Sequence, residues 1–170
     1  MQRAKIDMSE TSIVALILTF NEEDLIGACI ESSMQIASRE IVVDSHSTDR
    51  TVELARLAGA EVVINQFVSH ANQINWALRS LPIDEGWVIR IDADERIYPK
   101  LAGSIKRIIS GSTKNIMAVE ISRRTVFMGK LLRFGGTFPI NILRVWRSGA
   151  AQCEDRLMDE HMVVSHGRRS

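Results

Sequence analysis

Apolar residues along this chain fall in short dense blocks, each followed by a stretch in which they recur every three or four positions. Ser12 to Phe20 is one such block, and Glu22 to Ala37 follows with Ile26, Ile30 and Met34 at helical spacing and acids in its first turn. The expectation is a strand and then a helix. Ile41, Val42 and Val43 form a second block ending at Asp44, and Val52 to Ala58 reads as a helix closed by Gly59, a residue type favoured just past a helix end. Glu61 to Ile64 predicts a third strand, and His70 to Ser80 a helix stopped by Leu81 and Pro82. Trp87, Val88, Ile89 and Ile91 mark a fourth strand. Pro99 opens the next helix, where its missing N–H costs nothing, and Leu101, Ile105, Ile108 and Ile109 carry it to Gly111.

Short apolar strands alternating with helices imply right-handed crossovers and a mostly parallel sheet covered on both faces, so the fold class is α/β. Beyond residue 111 the pattern changes. Met117 to Ile121 and Ile140 to Val145 read as strands, with Gly129, Gly135, Gly136 and Pro139 punctuating irregular chain between them. No repeat, low-complexity tract or linker interrupts the sequence. The expectation is one domain, with a nucleotide-type half over about 12–110 and a smaller hairpin-rich half over about 111–170.

The chain has 170 residues, with 21 Lys and Arg against 21 Asp and Glu, and 45% of it is hydrophobic. That length can bury a sizeable core. Zero formal charge and only 5% aromatic residues argue against a nucleic-acid partner, which calls for a basic surface and stacking groups. Cys29 and Cys153 form neither a CxxC pair nor a disulfide framework, so a reducing cytoplasm is the default. The longest aliphatic run, Ile13 to Leu18, falls far short of the roughly 18–20 residues needed to span a bilayer, and the polar start MQRAKIDMSETS shows no secretory signal.

In an open parallel sheet, ligands bind beyond the carboxyl ends of the strands. Strand one ends in Thr19, Phe20, Asn21, Glu22 and Glu23, strand two in Asp44 to Asp49, and strand four in Asp92, Ala93, Asp94 and Glu95. Asp92 and Asp94, two apart at a strand end, suit a hard cation such as Mg²⁺ or Mn²⁺ that also holds two phosphate oxygens and neutralises a departing diphosphate. The plainer alternative is an acidic turn leading into the Pro99 helix. Asp44 can accept from a nucleobase or ribose, or can simply cap the helix that follows it. The turn TFNEEDLIG lacks GxGxxG and carries acids that would repel a pyrophosphate, and no GxxxxGK[ST] loop exists, so dinucleotide and P-loop chemistry are both excluded.

Taken together, ILTFNEE, IVVDSHSTDRT and WVIRIDADERI resemble the inverting glycosyltransferases of family 2, nucleotide-sugar enzymes of GT-A fold. RRTVFMGKLLRFGG and RLMDEH are similar to the branch that builds lipopolysaccharide core or related bacterial envelope glycans, and the likeness runs from about Ser12 to about His166. The resemblance implies that Thr19, Asn21 and Glu23 line the nucleotide pocket and that Asp44 reads the uracil or other base of a nucleoside-diphosphate sugar, a UDP-sugar by preference. It makes Asp92 and Asp94 the DxD pair, with Asp94 the direct ligand of Mg²⁺ or Mn²⁺, and places Arg79 near a basic position that contacts the nucleotide in some relatives. An inverting transfer needs a carboxylate to take the acceptor's hydroxyl proton. Glu120, Glu154 and Asp155 are available, but RLMDEH resembles the family stretch whose glutamate falls on Glu160, with Asp159 second. Asp159 replaces the histidine usual there. His46 also departs, standing where relatives often have glycine. In some GT-A enzymes a late histidine completes the cation's shell, a role open to His161 or His166.

Between Glu120 and Glu154 there is no acid, while Arg123, Arg124, Lys130, Arg133, Arg144 and Arg147 lie among Phe127, Phe134, Phe138 and Trp146. This reads either as a solvated hairpin or as a basic patch for the diphosphate, an anionic or lipid-linked glycan acceptor, or the cytoplasmic face of the inner membrane. Two rivals remain. One is a non-catalytic nucleotide-sugar binding module, since members of the branch continue beyond the position of His166. The other is a phosphotransfer domain with Asp92 as nucleophile, which predicts a phosphoaspartate.

Overall fold

The computed structural model describes residues 11–83, 86–111, 115–128, 130–131, 140–154, 162–164 and 168–169. Strand β1 (Ile13–Thr19) is buried at every position, as its unbroken aliphatic sequence requires. It leads to helix α1 (Ile26–Ser33), strand β2 (Arg39–Asp44), helix α2 (Thr51–Leu57) and strand β3 (Glu61–Ile64). Helix α3 (His70–Ser80), strand β4 (Trp87–Asp92) and helix α4 (Pro99–Gly111) complete the alternating half. Ser69 caps α3, its Oγ accepting from the N–H of Asn72 at 3.1 Å, which satisfies one of the N–H groups a helix start leaves open.

Helix α1 is shorter than the expected Glu22 to Ala37. Residues Glu22 to Leu25 form a bonded turn instead, and the N–H groups of Glu22 and Glu23 are drawn sideways to the loop after β2. At its far end, Ser32 and Ser33 hydroxyls bond back to the carbonyls of Cys29 and Ile30 at 2.8 Å, and the chain continues as turns.

The remaining strands are β5 (Ile116–Arg123), β6 (Val126–Phe127), β7 (Lys130–Leu131), β8 (Ile140–Arg147), β9 (Ala151–Cys153), β10 (Met162–Val164) and β11 (Arg168–Arg169). One seven-stranded sheet runs β11-β5-β8-β4-β1-β2-β3, with β6–β7 and β9–β10 as separate two-stranded ribbons. Strands β4, β1, β2 and β3 are mutually parallel, and β8 joins them antiparallel, Trp87 facing Arg147 and Ile89 facing Val145. Residues on both sides of position 111 therefore share one sheet.

Alternation along the strands sends side chains to two cores. Ile13, Ala15, Ile17, Ile89 and Ile91 meet Ile26 and Ile30 of α1, Ala55 of α2 and Ile105 and Ile109 of α4. Val14, Leu16, Leu18, Val88 and Trp146 meet Ala71, Ile74 and Ala77 of α3 and the β9–β10 ribbon. Asn75 of α3 fixes that ribbon, its amide bonding both the carbonyl and the N–H of Cys153 at 2.8 and 2.9 Å. No helix among the described residues is long and apolar enough to cross a membrane.

The expected basic patch loses members to this packing. Arg144 is 5% exposed and Trp146 fully buried, because β8 is an interior strand. Arg147 lies over the Trp87 ring at 4.7 Å and donates to the Ile116 carbonyl at 3.0 Å. Arg123, Arg124 and Lys130 stay exposed, whereas Arg133, Phe134 and Phe138 lie outside the described residues.

Candidate functional site

The chain adds β2 and β3 on one side of β1 and then crosses to place β4 on the other. At such a reversal the two connections diverge and leave a crevice at the carboxyl ends of the strands. The loops after β1, β2 and β4 meet there.

The first two loops are laced together by polar groups. Asn21, at φ 52°, donates its N–H to Ser47 Oγ at 2.8 Å, and its side-chain oxygen accepts from the Thr48 N–H at 2.8 Å. Glu22 donates its N–H to Thr51 Oγ1 at 2.7 Å. Glu23 donates to Asp49 Oδ2 at 3.1 Å and accepts the Arg50 N–H at 3.0 Å. Some desolvation opposes ionisation of Asp49, but the hydroxyl and N–H of Thr51 and the N–H of Glu23 outweigh it and hold the carboxyl below its ordinary range. Asn21 and Glu23, read from sequence as pocket residues, thus act in this structure as the struts of its wall.

Asp44 is fully buried, and both its oxygens are taken by Ser47: the N–H at 2.8 Å and a short bond from the hydroxyl. It shapes the loop after β2, and each oxygen keeps a second acceptor site beyond the bond to Ser47. Beside it in register stands Thr19, whose buried Oγ1 has no hydrogen-bond partner among the described residues. Such an atom fits a polar ligand group laid across the strand ends.

The third loop separates the two aspartates. Asp92 is held by Arg144 Nη2 at 2.9 Å and Arg90 Nη2 at 3.2 Å. Arg144 Nη2 also reaches Glu95 Oε1 at 2.7 Å, and Glu95 Oε2 accepts the Asp92 N–H at 3.1 Å. Burial raises the Asp92 carboxyl, but the guanidinium charges of Arg144 and Arg90 overcome it and leave the group below the usual range. For Glu95 burial prevails and its carboxyl is raised, despite Arg144. Arg96 donates to the carbonyls of Ala93, Glu95 and Leu25 at 2.8–2.9 Å, tying this loop to the start of α1.

Asp94, by contrast, is exposed and has no hydrogen bond or ion pair among the described residues. Its charge is felt across the crevice. The Glu22 carboxyl is raised first by burial and then by Asp94 and Asp49, against the pull of Arg96. An open carboxylate in this negative corner suits a hard cation with oxygen ligands. Asp92 does not fit as a direct ligand, because its charge is already matched by two arginines. No group of three or more potential ligand side chains gathers among the described residues.

Arg79 is not brought to this rim. Helix α3 runs back from the carboxyl end of β3 to the start of β4, so its last turn sets Arg79 at the opposite edge, in a shallow cleft with Ile83, Ser148 and Gln152. Glu120 is exposed on β5. Glu160, Asp159, His161 and His166 lie outside the described residues. Sequence reasoning passed over Arg96, set Glu95 at the rim without a role, and put Arg144 in the basic patch rather than beside Asp92. For Arg144 the available signal was a charge in the middle of the apolar strand INILRVWR.

The sequence model of glycosyl transferase family 2 matches residues 14–131. Over 118 residues, 69% of the chain, there is 33% identity to an uncharacterized glycosyltransferase of Rickettsia typhi, of which 40% is covered. Over 120 residues, 68% of the chain, there is 31% identity to the lipopolysaccharide core biosynthesis glycosyltransferase LpsC of Rhizobium meliloti, of which 43% is covered. The chain therefore spans under half the length of these relatives. Among solved structures, glucosyl-3-phosphoglycerate synthase of Mycobacterium tuberculosis superimposes with a TM-score of 0.54 at 24% identity, covering 66% of this chain and 45% of that one. The mannosyltransferase PcManGT of Pyrobaculum calidifontis, solved with GDP-Man and Mn²⁺, gives 0.51 at 23% identity, covering 65% and 35%. At those identities the likeness concerns the fold, which is the GT-A fold. With the family model covering more than half of its residues, the chain belongs to glycosyl transferase family 2.

Proposed function

We propose that this chain binds a nucleoside-diphosphate sugar in the crevice between β1 and β4 and takes part in inverting transfer of the sugar to a glycan or lipid-linked glycan of the bacterial envelope. The observation that carries this is Asp94, exposed, without a hydrogen bond or ion pair among the described residues, and near enough to the loop after β1 to help raise the Glu22 carboxyl at the sheet's reversal point. Thr19, Asn21, Glu23 and Asp44 form the nucleotide side, and Asp94 supplies the protein's oxygen ligand for Mg²⁺ or Mn²⁺. A divalent cation bound there supplies positive charge for the diphosphate as it leaves. The base is Glu160, with Asp159 second. Its carboxylate takes the acceptor hydroxyl proton while that oxygen bonds the anomeric carbon and the bond to the diphosphate breaks from the opposite face. LpsC's name supports a lipopolysaccharide core acceptor. Glucosyl-3-phosphoglycerate synthase has been solved with UDP and Mn²⁺, which supports a UDP-sugar. Exposed Arg123, Arg124 and Lys130 are suited to a peripheral contact with the anionic cytoplasmic face of the inner membrane.

The test is a thermal-shift titration with UDP, GDP, CMP and their sugars, each with and without Mn²⁺. One nucleotide is expected to stabilise the protein in a metal-dependent way, by about 2.7 kcal/mol when present at a hundred times its Kd. Asp94→Asn should abolish the metal dependence without lowering the unliganded Tm. No shift with any nucleotide would sink the reading. Donor binding with neither hydrolysis nor transfer to isolated core glycans would leave a binding module in place of an enzyme.

A further inference from the structure

Within the loop that bears Asp92 and Asp94, the side chains of Asp92, Glu95 and Arg96 are all bonded, while Asp94 has no hydrogen bond or ion pair among the described residues and Arg144 keeps its buried Nη1 without a partner there. Arg144 grips the side chains of Asp92 and Glu95, Arg90 holds the other Asp92 oxygen, and Arg96 takes the carbonyls on either side of Asp94. Two cations face two carboxylates, so Asp92 and Glu95 are charge-compensated within the protein. Of this loop's three carboxylates, only Asp94 is exposed and without a hydrogen bond or ion pair among the described residues.

We infer that Arg144 is a positioning residue for the cation site: from the neighbouring interior strand β8 it locks Asp92 and Glu95, and so fixes where Asp94 stands. The inference deepens the proposed function and rests on it, since that reading makes Asp94 the ligand. The geometry favours this role over a contact with substrate. Arg144 is 5% exposed, and a single nitrogen, Nη2, spans both carboxylates at 2.9 and 2.7 Å. Glu95 closes the ring by accepting the Asp92 N–H at 3.1 Å, so the backbone leading to Asp94 is held as well as the side chains. A lysine supplies the charge from a single nitrogen, as Nη2 does, but on a shorter and less rigid side chain, so it should replace Arg144 in part.

The experiment measures three properties of the full chain and of R144M, R144K and E95Q. These are Mn²⁺ affinity in the presence of UDP, read from loss of the free-ion electron paramagnetic resonance signal; UDP affinity without metal; and amide hydrogen exchange. Substitutions behind a metal ligand weaken metal affinity roughly 10- to 100-fold, the loss expected for R144M, with metal-free UDP affinity unchanged and partial recovery in R144K. Amides of residues 92–97 should exchange faster, and those of residues 19–24 should not. E95Q keeps the Arg144–Asp92 pair and serves if R144M does not fold; it should shift affinity and exchange in the same direction by less. Wild-type protein that binds Mn²⁺ and UDP, with R144M or E95Q matching it in affinity and exchange, overturns the role of Arg144 alone. Wild-type protein that binds neither overturns the proposed function and this inference with it.

Discussion

Replacing His46 by glycine should stabilise the protein. His46 stands in the loop after β2 at φ 64°, its ring exposed and without a hydrogen bond among the described residues. A residue with a Cβ in the left-handed region carries roughly 1–2 kcal/mol of steric cost, which histidine tolerates better than most but does not escape. Glycine removes that cost and adds about 0.5–1 kcal/mol of unfolded-chain entropy, so the net gain is about 0.5–1 kcal/mol. For a chain of this length that raises Tm by about 1–4 °C. Urea unfolding should show a higher midpoint with an unchanged slope, because the surface exposed on unfolding stays the same. His46→Ala keeps the Cβ and loses the ring, so it should leave the midpoint where it is or lower it slightly. If alanine stabilised as much as glycine, the imidazole and not the backbone would be the source, and the strain argument would be wrong.

Two further predictions concern stability away from the crevice. Glu40 is 8% exposed, and burial raises its carboxyl pKa against a hydrogen bond with Ser33, so the folded chain holds the proton more tightly than the unfolded one. Stability contributed by the protonated form is then lost as pH rises through the raised carboxyl pKa, so the Tm advantage of Glu40→Gln should grow from acid pH upward and level off once Glu40 is ionised in the folded chain; a gap that is constant with pH would refute this. Asn75→Ala leaves the Cys153 N–H and carbonyl without their bonds to α3 and should cost about 2 kcal/mol, seen as a lower Tm together with faster exchange of the Cys153 amide.

Where one residue's character decides its surroundings, the elements were legible. The run Ile13 to Leu18 has no polar face, so it could only be an interior strand, and His70 to Ser80 shows both its cap and its stop. The start of helix α1 was misjudged because periodicity does not register contacts with distant loops: the N–H groups of Glu22 and Glu23, which a helix start at Glu22 would leave open, are taken by Thr51 and Asp49, partners nearly thirty residues away. Strands β9 and β10 escaped notice because each is three residues long and is held by distant partners, α3 and the side chains of β1, β4 and β8.

An α/β chain with polar, acid-bearing turns after strands one, two and four can be read from residue order alone, because the apolar pattern and the position of the acids are local properties. What those acids do depends on the neighbours that folding brings to them. Asp92 and Asp94 are alike in sequence and two residues apart, yet one is compensated by arginines and the other is open. The difference comes from Arg144, fifty-two positions away, brought alongside by antiparallel pairing of β8 with β4. Arg79 shows the converse, a plausible charge that helix direction carries to the wrong edge of the sheet. Charge compensation depends on distance in space, and no spacing along the chain encodes it.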